Sequence, residues 1–168
     1  MPYDASLKTL ELQALFDIKG RKEDIRLYLS DLASSFPESP NTFNYQVSHT
    51  VYYLGPDHWL MRANLKREAE LLAAMRPDSA PDDISIVLVS DMLAFFEISG
   101  SQAEDIMAII TSLDIHPSSF PANGATFTEA FGIKALVSRK ADGSRGFELA
   151  FDRSYRDMIS NCLLRILS

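Results

Sequence analysis

An internal repeat constrains the fold of this sequence more than any other feature. Residues 16–20 read Phe-Asp-Ile-Lys-Gly, and residues 96–100 read Phe-Glu-Ile-Ser-Gly. Each stretch is followed by Glu-Asp-Ile, then by Phe-Pro, and then by Thr-Phe. Because several matches in the same order rarely arise by chance, the sequence predicts two duplicated halves, at about residues 10–76 and 84–168.

The first half shows how each repeat is built. Apolar residues alternate over Leu12–Ile18, which predicts a half-buried strand. Ile25, Leu29 and Leu32 then give residues 22–32 the spacing of an amphipathic helix. We expect the loop, strands and final helix that follow to recur in the second half.

Turn and cap residues mark the later elements. Gly-Pro-Asp at 55–57 and Ala-Asp-Gly-Ser at 141–144 separate strand-like runs and predict hairpins. Asn64 is placed to cap the helix after the first hairpin, and Ser101 with Glu104 fits a capping box. These elements predict an α+β fold in which strand-helix-strands-helix halves form antiparallel sheets packed with helices, in a single domain over 1–168.

The two apolar runs in the middle of the chain leave two alternatives open. Ile84–Val89 and Met92–Ile98 both favour strands, and only Ser90 and Asp91 separate them. The two runs either pair with each other or form one bent strand.

Charge and cysteine content exclude several functional classes. The net charge is −7, which argues against nucleic acid and anionic membrane surfaces. Cys162 is the single cysteine, so neither a disulfide nor a cysteine-based zinc site is expected. Neither a signal peptide nor a transmembrane stretch is evident, and a cytoplasmic location is the simplest interpretation.

The chain shows no motif for catalysis or for a cofactor. Glycine-rich phosphate-binding patterns are absent, and His49, His58 and His116 are not spaced as metal ligands. Cys162 lies on the apolar stripe of the last helix and is interpreted as a buried side chain. We therefore predict no catalytic, cofactor-binding or metal-binding residue.

Four residues are candidates for contact with a partner: Trp59, Tyr53, His116 and Phe120. Tryptophan is enriched at binding hot spots, although core packing is the usual role of such a residue on a strand. Tyr53 follows Tyr52, so a strand would direct the two rings to opposite faces. His116 lies in a polar loop, where histidine fixes the loop or contacts a partner.

Several segments together resemble the gamma subunit family of heterotetrameric sarcosine oxidase. The resemblance runs from about residue 50 to the end of the chain, and Leu-Gly-Pro-Asp-x-Trp combined with Leu-Asp-x-His-Pro-x-x-Phe-Pro is its most specific part. The segments are Leu54–Leu60, Val89–Asp91, Ile98–Ile106, Leu113–Pro121 and Phe147–Tyr155. Leu88, Asn123 and Ala125 depart from the usual Asp, Gly and Cys, which leaves the substrate of the complex open.

The resemblance implies both a fold and a role. The fold is similar to the folate-binding domain of aminomethyltransferases. The holoenzyme demethylates sarcosine, or here a related N-methyl amine, and passes the one-carbon unit to tetrahydrofolate. FAD, FMN, NAD, zinc and tetrahydrofolate are expected in the alpha, beta and delta partner subunits, and none in this chain.

The resemblance leaves three functional interpretations. The favoured one is a non-catalytic gamma subunit of such an oxidoreductase. The alternative is a free-standing folate-binding protein of the aminomethyltransferase superfamily. A third is a member that has become a scaffold for another assembly.

Overall fold

The computed structural model describes residues 3–167, which form two compact units. Leu12–Asp91 is one unit, and the residues before and after it form the other. The helices are α1 (Lys22–Leu29), α2 (Glu68–Met75), α3 (Ala103–Ile110) and α4 (Arg156–Leu167). The strands are β1 (Ser6–Thr9), β2 (Gln13–Lys19), β3 (Phe43–Gln46), β4 (His49–Gly55), β5 (His58–Asn64), β6 (Ser85–Leu88), β7 (Leu93–Ser99), β8 (Ala125–Ala130), β9 (Ile133–Arg139) and β10 (Gly146–Asp152).

The unit Leu12–Asp91 contains a five-stranded antiparallel sheet in the order β3-β4-β5-β2-β6. Ile25 of α1 and Leu71 of α2 pack on one face of this sheet, against side chains such as Phe16 and Met61. Both β2 and β5 are buried on two faces, since their neighbouring side chains are also inaccessible to solvent. This explains why apolar residues in β2 run consecutively rather than strictly alternating.

The second unit repeats this arrangement with different residues. Its antiparallel sheet has the order β8-β9-β10-β7-β1. Ile106 and Met107 of α3 and Ile159 and Leu163 of α4 are buried against it. Phe131 and Gly132 join β8 to β9 with φ values of 54° and 71°, as a tight hairpin turn requires.

The predicted fold class is confirmed: two antiparallel sheets, each packed with helices, arise from the same succession of elements. β2-α1-β3-β4-β5-α2 corresponds to β7-α3-β8-β9-β10-α4, and the corresponding strands occupy the same places in their sheets. The organisation of these halves as one domain stays a prediction. None of the helices within residues 3–167 has the length and apolar character needed to span a membrane.

Both interpretations of the central apolar runs are wrong. β6 pairs with β2, whereas β7 pairs with β1 and β10, so the two runs belong to different sheets. The backbone N–H of Leu15 donates to Ser90 Oγ (3.2 Å), and that of Val89 donates to Leu15 C=O (2.8 Å). The chain thus remains tied to β2 up to Ser90, and β7 then pairs with β1 and β10 in the other sheet.

Two helix boundaries also differ from the sequence predictions. The first helix ends at Leu29 rather than Leu32, because Ser30 takes φ +49° and a 3-10 helix follows over Ser30–Ser35. The capping box is wrong, since Ser101 Oγ donates to Asp4 Oδ2 (2.5 Å) rather than capping α3. The Asn64 cap is confirmed: its Oδ1 accepts from Lys66 N–H, although the turn that it starts is a 3-10 helix.

Candidate functional site

The loop between α3 and β8 carries two of the four candidate contact residues, His116 and Phe120. The backbone N–H of His116 donates to Asp114 Oδ1 (3.0 Å), and His116 Nδ1 lies 2.7 Å from Ser118 Oγ. The Ser119 hydroxyl and the His116 N–H lower the pKa of Asp114 by hydrogen bonding to its ionised carboxylate. The loop therefore holds its shape through its own polar groups.

Arg139, the last residue of β9, fastens this loop to the sheet. Its Nη2 donates to the carbonyl oxygens of Ile115 (2.5 Å) and Phe120 (3.3 Å). Its guanidinium carbon lies 4.6 Å from the centre of the Phe147 ring, in cation–π geometry. Because these contacts use most of its donors, Arg139 acts on loop geometry.

The loop and the β9–β10 turn enclose the candidate site, a cavity of about 230 Å³ that we call the basic cavity. Its lining includes three basic side chains, those of Arg139, Lys140 and Arg145, and contains no acidic residue. The remaining lining residues are Pro117, Phe120, Ala122, Gly143, Ser144 and Gly146. In a chain of net charge −7, this concentration of positive charge distinguishes the site.

Lys140 is already neutralised within the chain. Its Nζ lies 2.8 Å from Glu97 Oε1 and 3.3 Å from Ser99 Oγ, and Ser99 in turn donates to Glu97 (3.0 Å). Burial opposes ionisation of Glu97, but the hydrogen bonds from Lys140 and Ser99 outweigh it and lower the pKa of Glu97. Burial likewise opposes the charge on Lys140, and the contact with Glu97 nevertheless raises its pKa.

The absence of a side chain at Gly146 leaves room for the Lys140 side chain and for the close approach of the β7 backbone. Gly146 has φ +144°, and a Cβ added there would lie 2.4 Å from Ile98 C=O and 3.0 Å from Lys140 Cδ. Only glycine fits this position, because both the backbone conformation and the close approach exclude a side chain.

The arrangement of the basic cavity favours packing rather than chemistry. Arg139 is held by backbone carbonyls and an aromatic ring, and Lys140 is held by a carboxylate. The third basic lining residue, Arg145, is exposed. Its volume lies below the roughly 300–1,000 Å³ that is usual for small-molecule sites. Within residues 3–167, no three His, Cys, Asp or Glu side chains are grouped to hold a metal ion.

The comparison with known families decides the assignment of the chain. Residues 46–166 match the family of the GCVT N-terminal domain. This chain belongs to that family. The match includes β4, β5, α2 and β6 of the unit Leu12–Asp91, and β7 to β10, α3 and most of α4 of the other unit.

One curated relative of this GCVT-family chain is an aminomethyltransferase from Herpetosiphon aurantiacus. The two are 29% identical over 117 residues, which amount to 69% of this chain and 32% of the relative. The chain therefore spans about a third of the length of that relative.

Two solved structures show the same fold as this GCVT-family chain. A chain of the heterotetrameric sarcosine oxidase from Corynebacterium sp. U-96 has a TM-score of 0.80 and 17% identity, covering 97% of this chain and 83% of that one. The glycine cleavage system aminomethyltransferase T from Bartonella henselae has a TM-score of 0.69 and 14% identity, covering 97% and 46%. At these identities the likenesses establish the fold alone.

The structure places the four candidate contact residues in different environments. Trp59 is 2% exposed, packs 5.3 Å from the Phe36 ring and donates its indole N–H to Pro37 C=O (2.9 Å). Phe120 is 3% exposed. Core packing accounts for both residues without a partner. Tyr53 is partly exposed and His116 is exposed, and the assignment of these side chains to an interface stays a prediction.

Sequence analysis missed two features of this GCVT-family chain. The first is the basic cavity, although residues 139–145 hold three basic residues around a turn and could have indicated it. The second is His49, whose Nδ1 and Nε2 each lie 2.8 Å from a serine hydroxyl, those of Ser48 and Ser35. Cys162 lies on α4 and is partly buried, whereas the sequence predicted a buried side chain.

Proposed function

We propose that this chain is a non-catalytic, gamma-type subunit of a sarcosine oxidase-like complex. The observation that carries the proposal is the match of almost the whole chain with one chain of a heterotetrameric oxidase, at a TM-score of 0.80. The likeness to the aminomethyltransferase, at 0.69, is weaker. The sequence resemblance to the gamma subunit family points in the same direction.

The contacts of the basic cavity support a non-catalytic role. General acid–base or nucleophilic catalysis needs a group that is free to exchange protons or attack a substrate. In this cavity Lys140 is bound to Glu97, and Arg139 is bound to backbone carbonyls. We assign the flavins (FAD and FMN), NAD, zinc and tetrahydrofolate to alpha, beta and delta partner subunits.

Co-expression tests the proposal. An affinity-tagged copy of this chain is produced together with the alpha-, beta- and delta-type subunits of its own organism. We expect the tagged chain to retain the partners through purification, and the purified complex to oxidise an N-methyl amine. Purification without any partner would contradict the proposal.

The isolated chain provides the second arm of this test. We expect no flavin absorbance, no amine oxidation and no heat of tetrahydrofolate binding in titration calorimetry. Turnover by the isolated chain would overturn the non-catalytic assignment. Folate binding by the isolated chain would instead establish the free-standing folate-binding protein.

A further inference from the structure

β6 is an outer strand that lacks the usual protection of a sheet edge. It pairs with β2, and within residues 3–167 no strand pairs with its other side. Among the other outer strands, β1 carries Lys8, β8 carries Glu129, and β3 carries Asn44 and Gln46, whereas β6 reads Ser-Ile-Val-Leu. Charged edge residues discourage pairing with another chain, so β6 is open to it.

The backbone of β6 presents hydrogen-bonding groups on its open side. The Val89 N–H donates to Leu15 C=O, and Leu88 lies opposite Phe16. Since the bonding direction alternates along an antiparallel strand, Val87 also bonds towards β2, while Ile86 and Leu88 face away. Their N–H and C=O groups have the spacing that an added strand requires.

An apolar groove of about 650 Å³ lies beside this edge, and we call it the β6 groove. Ala69, Leu72 and Ala73 of α2 form its helical wall, Ile86–Leu88 forms its strand wall, and residues 76–79 complete the lining. Val87 is 48% exposed and Leu88 is 38% exposed, so these apolar side chains remain in contact with solvent. A strand added beside β6 would place every second side chain over this groove.

Acidic residues at both ends of β6 determine what fits the edge. Asp82 and Asp83 precede the strand and Asp91 follows it, and all three are exposed. Asp78 lines the β6 groove, whereas the guanidinium of Arg76 is placed over the Tyr28 ring at 5.3 Å. A second copy of this chain would bring acids of the two copies together in either strand direction. A segment with a basic residue at one end would be attracted.

We infer that β6 accepts, as an added strand, an extended segment of a different polypeptide with alternating apolar side chains and a basic residue at one end. Backbone hydrogen bonds to Ile86 and Leu88 supply the attachment. The β6 groove selects the apolar side chains, and the flanking aspartates select the basic end. The inference rests on this edge alone and stands whether or not the complex proposed above forms.

Selection from a display library tests the inference. The probe is a phage library of random nine-residue peptides, panned on the full chain with a biotin tag. We expect enriched peptides in which apolar residues alternate and Lys or Arg occupies an end. Synthetic copies should bind the wild type, and replacing their basic residue by Glu should weaken binding about tenfold.

Three substitutions distinguish binding at the β6 edge from nonspecific binding. L88P removes one outward N–H while leaving the bonds of Val87 and Val89 to β2, so it should weaken peptide binding at least about tenfold. V47K replaces an exposed side chain (97%) outside the β6 groove and should leave binding unchanged. L88K provides a second edge variant with an intact backbone, and circular dichroism checks that each variant is folded.

Each outcome decides for or against the inference. Loss of binding in L88P and L88K, with retention in V47K, supports it. Failure to enrich any peptide family, or equal binding by all three variants, overturns it. Self-association of the chain that L88K abolishes would also overturn it, because a second copy would then be the occupant of the edge.

Discussion

Arg139 shows how one side chain attaches a whole loop to a sheet. Its guanidinium donates to Ile115 and Phe120 carbonyls and packs on Phe147. We expect R139A to lower the free energy of unfolding by about 2–3 kcal/mol, since a charged donor to two backbone carbonyls is lost. R139K should recover little of the lost stability, because one ammonium group cannot reproduce both the hydrogen bonds of the guanidinium and its contact with the Phe147 ring. Urea unfolding measures the change.

The matched control for Arg139 is Arg145, which also lines the basic cavity but is exposed. R145A should shift the unfolding free energy by no more than about 0.5 kcal/mol. Equal effects of R139A and R145A would show that charge in the cavity, rather than loop anchoring, determines stability.

Gly146 gives a second test at the residue scale. A Cβ there would meet Ile98 C=O at 2.4 Å, in a backbone conformation of φ +144°. G146A should lower the free energy of unfolding by about 1–3 kcal/mol or more, because both strain and a backbone clash must be relieved. Gly143 also has positive φ (74°) but open space around it, so G143A should be milder in a thermal melt. A larger effect of G143A would contradict the assignment to the clash.

His49 links two elements, the 3-10 helix Ser30–Ser35 and β4. Ser35 Oγ donates to Leu32 C=O (2.7 Å), so it accepts a hydrogen bond from His49 Nε2. This assigns the neutral tautomer with the proton on Nε2, and Nδ1 then accepts from Ser48. Burial, followed by the nearby charge of Arg67, lowers the pKa of His49 below its ordinary value of 6.5.

This lowered pKa predicts a pH dependence with a definite sign. As the pH falls below 6.5, the unfolded chain takes up a proton at His49 before the folded chain does. The contribution of His49 is therefore fully present above pH 6.5 and declines as the pH falls through the folded pKa. H49N should be less stable than the wild type by about 1–2 kcal/mol at pH 7.5, and this difference should shrink at pH 5.5. Urea titrations at both pH values measure it, and a difference that grows at low pH would contradict it.

α4 shows which part of an amphipathic stripe is buried. Tyr155, just before the helix, and Met158 are 40% and 44% exposed, while Leu163 is fully buried. L163A should lower the free energy of unfolding by about 2–5 kcal/mol through loss of buried area and creation of a cavity. The neighbouring L164A, at a side chain 54% exposed, should change it by no more than about 0.5 kcal/mol. Equal losses would place the buried face elsewhere.

Sequence reasoning predicted elements well where the signal was local. The turns at 55–57 and 141–144 and the spacing of Ile25 and Leu29 depend on neighbouring residues, and the structure has these hairpins and this helix. The short outer strands β1 and β3 were missed because their apolar pattern is weak. The strand partners of β6 and β7 were mispredicted, since pairing depends on residues far away in the chain.

The functional site was less predictable than the fold. The repeat at 16–20 and 96–100 belongs to strands that pack in the two cores. Core packing requires apolar residues at regular spacing, and such spacing can be recognised in a sequence. The basic cavity arises because Arg139 contacts a loop 19 to 24 residues earlier and Lys140 contacts Glu97 on another strand. Such long-range polar contacts have no periodic signature in the sequence.

At the scale of the whole molecule, the proposed subunit needs a surface for its partners. Of the four candidates, Tyr53 and His116 retain accessible side chains, while Trp59 and Phe120 are occupied in the core. An aromatic side chain with a polar tip suits a partly hydrated interface, because it contributes area and a hydrogen bond together. Tyr53 is therefore the better test of a contact with the oxidase subunits.

We expect Y53A to weaken assembly with the co-expressed partners about tenfold, as loss of a hot-spot side chain does. Tyr45 provides the matched control: it lies on the neighbouring strand β3 and is 50% exposed. Quantitative pull-down at decreasing protein concentration measures both variants, with thermal melts to confirm that each is folded. Retention of partners by Y53A together with their loss in Y45A would transfer the interface to β3, whereas loss in Y53A alone would locate it at the end of β4.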